Sequence, residues 1–538
     1  MVIPPANPGR GLDRRDFLRL AGAGSAALAS GAWRSAWPPQ QNAASGADDL
    51  DRDIVLLALD AVRSAGVMYA DVRLMRGAWE NVYTRERQIT GVSASESYGI
   101  GIRALVGGSW GFAATGNVTR ESVVAAAREA AAIARANDRI NPVETLLAPV
   151  QPVTDGRWVT PHEVDPFTVP VEDKAALLFR VNEEALKVPG VRFVNSGVSS
   201  VRDSRLLGTT DGSMIEQTFY RIYPFVNVTA VSDDNSDFQS RDAALAPMGA
   251  GWEYVTELNL VEHVPRWAEE AVMKLSAPSV EAGQWDVVLH PSHLWLTLHE
   301  SIGHPTELDR ARGFEANYAG TSFLAPPEAV LSQFRYGPDF MQVQGNRTEA
   351  GGLATCAWDD EGVPAREWAI VRNGVFVNYQ TTRESASWIA EQTGLEASTG
   401  CAYGEGWWAI PFQRMPNISL LPNAENLSDE DVIAATDRGI FIEGHGSYSI
   451  DQQRYNFQFG GQTFWEIRNG RRTRMLRDVA YQGRTPEFWN SLALIGGRQT
   501  YRLGGTFNDG KGQPPQSNAV SHGCPMALFR NVNVLSTA

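Results

Sequence analysis

The chain has 538 residues, with 47 Lys and Arg against 62 Asp and Glu, a formal charge of −15. Its 43% hydrophobic and 20% charged residues make a globular composition, and the acidic balance repels phosphate backbones, which argues against nucleic acid as a partner. Three cysteines, Cys356, Cys401 and Cys524, exclude a disulfide scaffold, and the odd number leaves at least one thiol for other work unless it pairs between chains.

At the N-terminus, Asp13-Arg14-Arg15-Asp16-Phe17-Leu18 precedes a weakly apolar, Ala- and Gly-rich run over 20–32. That run is too short and mild to span a bilayer, and small-residue patterns such as Ala27-Leu28-Ala29 follow it. Paired arginines before Phe-Leu resemble the twin-arginine export signal, so residues 1–32 are expected to be removable and the mature chain to lie outside the cytoplasm, in a periplasm or its equivalent. Residues 33–50 read as a linker.

Next come three units. Residues 51–150 read as an N-terminal α+β domain, with a helix over 54–64, strands over 70–75, 80–84 and 99–105, and an Ala-rich helix over 120–136 capped by Thr119. Residues 160–277 read as a middle α+β domain. It has a helix over 174–187 stopping before Pro189-Gly190, a hairpin turning at Asp211-Gly212, and a helix over 266–276. Residues 284–538 are turn-rich and mostly β, with hairpins at Asn373-Gly374 and Asn469-Gly470. One helix there starts at Ser428, with Asp431 completing a capping box and Gly439 past its end. The fold class is therefore α+β, with N-terminal α/β modules followed by a large β-rich C-terminal domain.

That C-terminal domain carries the informative segment, Asp286 to Pro305. A strand over 287–289 leads to a helix entered at Pro291-Ser292, with Ser292 as expected cap and Leu294, Leu298 and Ile302 as a buried stripe. His299-Glu300 and His304 lie late on this helix. In the HExxH zinc site the histidines are four apart and share a face. Here they are five apart, about 140° around a regular helix, and could not bind one ion. Gly303 weakens the turn and Pro305 pushes His304 from the α region, and a π-bulge would serve equally well. A zinc site needs a third ligand, and the candidates are Cys524, His522, His445, Glu307 and Asp309. His522 and Cys524 also share one face of an extended chain and could form a nucleophile–base couple.

His299-Glu300-Ser301-Ile302-Gly303-His304, continuing to Glu307 and Asp309, resembles the HExxxH segment of the TldD/PmbA family. The likeness continues at Asp359 to Pro364, at Arg414-Met415-Pro416-Asn417, at Gly439-Ile440-Phe441 and at Tyr98 to Arg103. It implies a zinc metallopeptidase, with one zinc per catalytic chain, acting on small or unfolded peptides. It further implies that His299, His304 and Cys524 bind the zinc, that Glu300 is the general base, and that Glu307 and Asp309 orient ligand histidines. Such proteins work as two-fold dimers, commonly a TldD chain with a PmbA-like partner, and the intact motif resembles the catalytic type. Three departures are the export signal with its linker, the Gly/Pro/Gln/Ser-rich region from Asn508 to Ser521 before Cys524, and the stretch from Ala402 to Trp408, which does not match the family's Gly-Arg-rich segment. The competing readings are a non-catalytic subunit of such a complex and a cysteine hydrolase using Cys524 and His522.

Replacing both Arg14 and Arg15 by Lys is expected to block export. Cell fractionation checks this, and an unchanged extracytoplasmic pool would sink the signal assignment.

Overall fold

A computed structural model describes residues 49–141, 144–393, 398–512 and 514–538. The expected export signal and the linker up to residue 48 lie outside the described residues. Helix α1 (Asp49–Ser64) carries Asp49 and Asp51 in its first turn, where carboxylates suit the positive helix end. Strand β1 (Tyr69–Arg85) follows as one element rather than the two expected over 70–75 and 80–84. Gly77, which breaks the pattern in sequence, is held extended because it is paired on both sides, with Ser97 in β2 (Gln88–Val106) and Asp203 in β5 (Val191–Thr209). After β3 (Ser109–Thr115), α2 (Arg120–Asp138) starts where expected, with the Thr119 hydroxyl accepting the Ser122 N–H.

The two N-terminal units share one sheet. Its order is β3-β2-β1-β5-β6-β4, where β6 is Met214–Val231 and β4 is Gly156–Val159, and β7 (Phe238–Asp242) also pairs with β6. The β1–β5 ladder from Asp71/Thr209 to Arg85/Asn195 joins the expected 51–150 and 160–277 modules along most of their length. Separate sequence stretches therefore build one layer, and the helices divide its face between two cores. Helices α1 and α2 bury Val55, Leu59, Val123 and Ala127 against Val72, Ile100 and Ile102. Helices α3 (Val171–Leu186) and α4 (Leu260–Ser276) bury Leu178, Val181, Val264 and Ala268 against Val198 and Val226.

In the C-terminal part, β8 (Gly283–Leu289) lies between β15 (Arg438–Ile450) and β22 (Ala527–Ser536). From β22 the sheet continues through β18 (Val479–Arg484) to β16 (Asn456–Arg468), which also pairs with β15, so five strands close on themselves. β17 (Arg471–Leu476) and β19 (Leu492–Ile495) extend the ring. A second sheet has the order β11-β10-β9-β14, from β9 (Val343–Asn346), β10 (Glu367–Arg372), β11 (Val375–Phe376) and β14 (Ile418–Leu420). Two short pairs remain: β12 (Ala402–Tyr403) with β13 (Phe412–Gln413), and β20 (Arg502–Lys511) with β21 (Gln516–Cys524). The Asn373-Gly374 turn has positive φ at both residues, 50° and 73°, as a two-residue type I′ hairpin requires.

Buried ion pairs dock the C-terminal part on the first sheet. Asp360 sits 2.7 Å from Arg205 and 3.5 Å from Arg73, and Glu361 sits 3.0 Å from Arg103. Trp407 lies over the same sheet and donates to Ser97, and a Cβ at Gly99 would stand 2.3 Å from its ring. The Tyr98-Gly99-Ile100-Gly101 motif is thus a seat for the 402–408 stretch that departs from the family pattern.

Two helix ends differ from expectation. The Ser428–Asp431 capping box is present, but the helix it opens closes at Ala434, and Gly439 instead lies in β15 against the Asp286 backbone, where a Cβ would come within 2.7 Å. Helix α5 (Pro291–Leu298) is capped by His290, whose Nδ1 accepts the Ser292 N–H at 3.2 Å, rather than by Ser292. One turn on, fully buried His293 donates to the Gly444 carbonyl and accepts from the Tyr481 hydroxyl, both at 2.9 Å.

Burial pushes the His293 pKa down to about 4 from 6.5. Folding therefore favours its neutral form. The contribution is fully present above pH 6.5 and is lost as pH falls toward 4, by about 3 kcal/mol. Urea unfolding at pH 7.5 and pH 4 is expected to show a loss of at least this size, and His293→Gln is expected to shrink the difference between the two pH values.

Candidate metal centre

Helix α5 does not continue as an α-helix past Leu298. Residues His299–Gly303 form a π turn, with the His304 N–H reaching back to the His299 carbonyl. That i→i+5 bond places His304 one turn beyond His299, on the same face. The ring centroids are 4.6 Å apart, and ligand atoms of His299, Glu300 and His304 all lie within 4.8 Å of one another. Gly303 is needed here because a Cβ would stand 2.5 Å from the Met415 sulfur. The five-residue spacing that forbids a shared ion on a regular helix is thus the spacing a π turn requires.

The hydrogen bonds set the tautomers. His522 Nδ1 lies 2.9 Å from the Ile418 carbonyl, which can only accept, so Nδ1 carries the proton and Nε2 is left as an acceptor. His299 Nδ1 lies 2.7 Å from that Nε2 and must be the donor. His304 Nδ1 donates to Glu307 Oε2 at 2.9 Å. Both Nε2 atoms are thereby available as ligands, and both lie 3.5 Å from Asp509 Oδ1. Two imidazole nitrogens beside carboxylates, all buried and outer-oriented, are a donor set that suits a divalent ion such as zinc.

Each carboxylate around the pair lies beside a cation. Glu300 is 2.6 Å from Arg454, in the turn between β15 and β16. Burial works against the Glu300 charge, but His304 and then Arg454 outweigh it and hold the pKa below the ordinary value. Glu307 and Asp309 share Lys511, at 3.0 and 2.8 Å. Burial opposes ionisation of Glu307, yet Lys511, with His304 and Arg310 after it, keeps it a carboxylate. Burial pushes the His304 pKa down to about 4, and the Arg454 charge adds to this, against the opposite pull of Asp509 and Glu307. Burial also opposes the Asp509 charge, but the two ligand histidines and Arg414 hold it well below the usual range.

Sequence models of the PmbA/TldA metallopeptidase family match three segments: domain 1 over residues 70–134, the central domain over 164–277 and the C-terminal domain over 282–536. The chain belongs to the TldD/PmbA family. Among the relatives of this TldD/PmbA chain, a protein of Methanothermobacter thermautotrophicus named a metalloprotease is 27% identical over 88% of this chain and 96% of its own. A zinc metalloprotease TldD homolog of Saccharolobus solfataricus is 21% identical over 87% and 97%. The crystal structure of TldE from Thermococcus kodakarensis superposes with a TM-score of 0.67 at 16% identity, covering 90% and 99%, and so shares the fold.

Of the residues singled out in sequence, the structure of this TldD/PmbA member gathers His299, Glu300 and His304. Glu307 touches His304. Asp309 touches no histidine and instead accepts from Lys511 and the Arg310 N–H. Neither Cys524 nor Asp509 joins the group of donors that all lie within 4.8 Å of one another, although Asp509 Oδ1 is 3.5 Å from each histidine Nε2. Cys524 is fully buried on β21, burial pushes its thiol pKa up, and its neighbour His522 serves His299. His445 is exposed on β15, edge-on to Trp295. Cys356 and Cys401 are buried free thiols.

Three contributors had no sequence signal that singled them out, Asp509, Lys511 and Arg454; Arg414 was visible only as the first residue of a family-like motif, with no role attached. Asn508-Asp509-Gly510 reads as a polar turn. In the ladder, however, Thr506 faces Val520 and Asp509 faces Asn518, so β20 spends three residues against two. This bulge turns Asp509 and Lys511 inward, between exposed Asn508 and Gly510.

Lys511→Met is expected to cost about 3–5 kcal/mol, because Glu307 and Asp309 lose the cation they share in a fully buried site. Denaturant unfolding measures it. A loss below 1 kcal/mol would show that Arg310 alone compensates both acids.

Proposed function

We propose that this chain is a zinc-dependent metallopeptidase of the catalytic, TldD type, cleaving small or unfolded peptides. The observation that carries the reading is the pair of Nε2 atoms, His299 and His304, freed by their own hydrogen bonds and facing one point beside Glu300. The metalloprotease names of relatives covering nearly all of the chain support it. His299 and His304 would hold the ion through Nε2. When bound, zinc supplies Lewis acidity, which lowers the pKa of a water and polarises the scissile carbonyl.

The chain's own residues do the rest. Glu300, ionised and adjacent to a ligand histidine, takes the proton of the attacking water and passes it to the leaving amine. Arg454 fixes the carboxylate through Oε2, with the Tyr448 hydroxyl also beside it. His522 and Glu307 hold the two imidazoles in the tautomer that presents Nε2. In this proposal the precursor is exported in folded form by its twin-arginine signal. It works as a two-fold assembly with a PmbA-like subunit or a second copy, the fold shared with TldE supporting such a pairing. No helix among the described residues is long and apolar enough to cross a membrane.

The non-catalytic alternative leaves the compensated Glu300 and both free Nε2 atoms without a purpose. The cysteine-hydrolase alternative is disfavoured because both His522 nitrogens are engaged elsewhere and the Cys524 thiolate is opposed by burial.

Glu300→Gln is expected to keep its metal and lose about 10²–10⁴-fold in peptide cleavage, the range a positioned general base supplies. Metal analysis together with an unfolded-peptide assay decides this. Full activity in the variant refutes the base, and activity that survives metal chelation refutes the metallopeptidase.

A further inference from the structure

We infer that Asp509, and not Cys524, is the third protein donor, so that the site is a two-histidine–carboxylate set. The inference rests on the metal reading proposed above and specifies it. Asp509 Oδ1 stands 3.5 Å from His299 Nε2 and 3.5 Å from His304 Nε2. Around a tetrahedral ion with nitrogen and oxygen ligands at about 2.0–2.2 Å, neighbouring donors are separated by about 3.3–3.6 Å. Asp509 Oδ1 is therefore spaced from each Nε2 as one ligand from its neighbour, and the two histidines have ligand atoms within 4.8 Å of each other.

The rest of Asp509 is arranged for this role. Its Oδ2 accepts from Arg414 Nη2 at 3.2 Å, and the same guanidinium binds the Asp509 and Gln516 carbonyls. Oδ1 is thereby left toward the histidines. Arg414 opens the Arg-Met-Pro-Asn motif, which the metal reading by itself does not use, and Met415 of that motif packs against Gly303 in the π turn. The β20 bulge is a further device with this effect, since without the extra residue Asp509 would face away. Of the other carboxylates near the pair, Glu307 is taken up by His304 Nδ1 and Lys511, and Arg454 holds one oxygen of Glu300. Cys524 is packed in the apolar core with Phe529 and Leu492. An oxygen donor is harder than sulfur, so the site lacks the thiolate that selects soft ions and accepts Co²⁺ without a sulfur ligand.

The test uses the full mature chain and Co²⁺, with metal content and absorption as readouts. The expected result is a cobalt spectrum with ligand-field bands but no thiolate-to-cobalt charge transfer. Cys524→Ser should leave affinity unchanged. Asp509→Asn should weaken it by more than the roughly 10–100-fold that loss of an outer partner costs. Asp509→Cys should restore binding and introduce the charge-transfer band. A charge-transfer band in the native protein that Cys524→Ser removes would overturn the inference and leave the metal reading standing. Undiminished affinity in Asp509→Asn would also overturn it. Failure of the native chain to bind Co²⁺ or Zn²⁺ at all would overturn the metal reading itself. Should Asp509→Asn not fold, judged by circular dichroism, the native spectrum alone decides.

Discussion

The site depends on one extra residue in one helical turn. A regular α-helix would point His299 and His304 apart, and the π turn over His299–Gly303 realigns them. Widening a turn leaves backbone groups without their usual partners, and here the surroundings supply them. The Thr306 hydroxyl reaches the Ile302 and Gly303 carbonyls, Gln380 donates to the Gly303 carbonyl, and the Tyr336 hydroxyl donates to the Ser301 carbonyl. The Trp489 indole fixes the Ser301 hydroxyl. Apart from Thr306, these partners come from three regions distant in sequence, so the turn is stable only in the folded C-terminal domain.

What was legible in the sequence was what local chemistry decides. The Asn-Gly hairpins, the Thr119 cap, the Ser428–Asp431 box and the His–Glu–His group with a glycine beside it all depend on near neighbours. What was not legible depended on pairing between distant strands. Nothing in 70–85 alone says that Gly77 is bridged on both sides, and nothing in the two N-terminal segments says that their longest strands lie side by side. The third donor inferred above escapes the sequence for the same reason. Cysteine is a good zinc ligand and Cys524 has the appropriate position near the end of the chain, whereas Asp509 sits in a stretch whose composition spells a turn. Only the register of β20 on β21, with its single extra residue, turns that aspartate inward.

The same register explains how so many charges are buried together. Alternation along β20 puts Asp509 and Lys511 on one face, two residues apart, so one strand end delivers an acid to the histidines and a cation to Glu307 and Asp309. Across the joint between the first sheet and the C-terminal part the logic repeats, with Arg73, Arg103 and Arg205 meeting Asp360 and Glu361. Breaking any one of these pairs strands a charge in a medium that cannot solvate it, so the pairs act chiefly by making misdocked arrangements costly.

Compensation also bears on when the ion enters. In small structural zinc sites the ligands are unordered until metal arrives, and binding energy is folding energy. Here each acid beside the pair already has a cation, and each ligand imidazole is oriented by a neutral or anionic partner, so the fold does not need a dication to balance its charges. The site is organised first and loaded second. With a carboxylate as third donor, loading brings no thiol into the coordination sphere, and the three cysteines stay buried in apolar or hydrogen-bonded settings. For a chain carried into an oxidising compartment, as proposed, that arrangement removes the one ligand type such a compartment attacks, since thiolates climb the oxidation ladder and carboxylates do not.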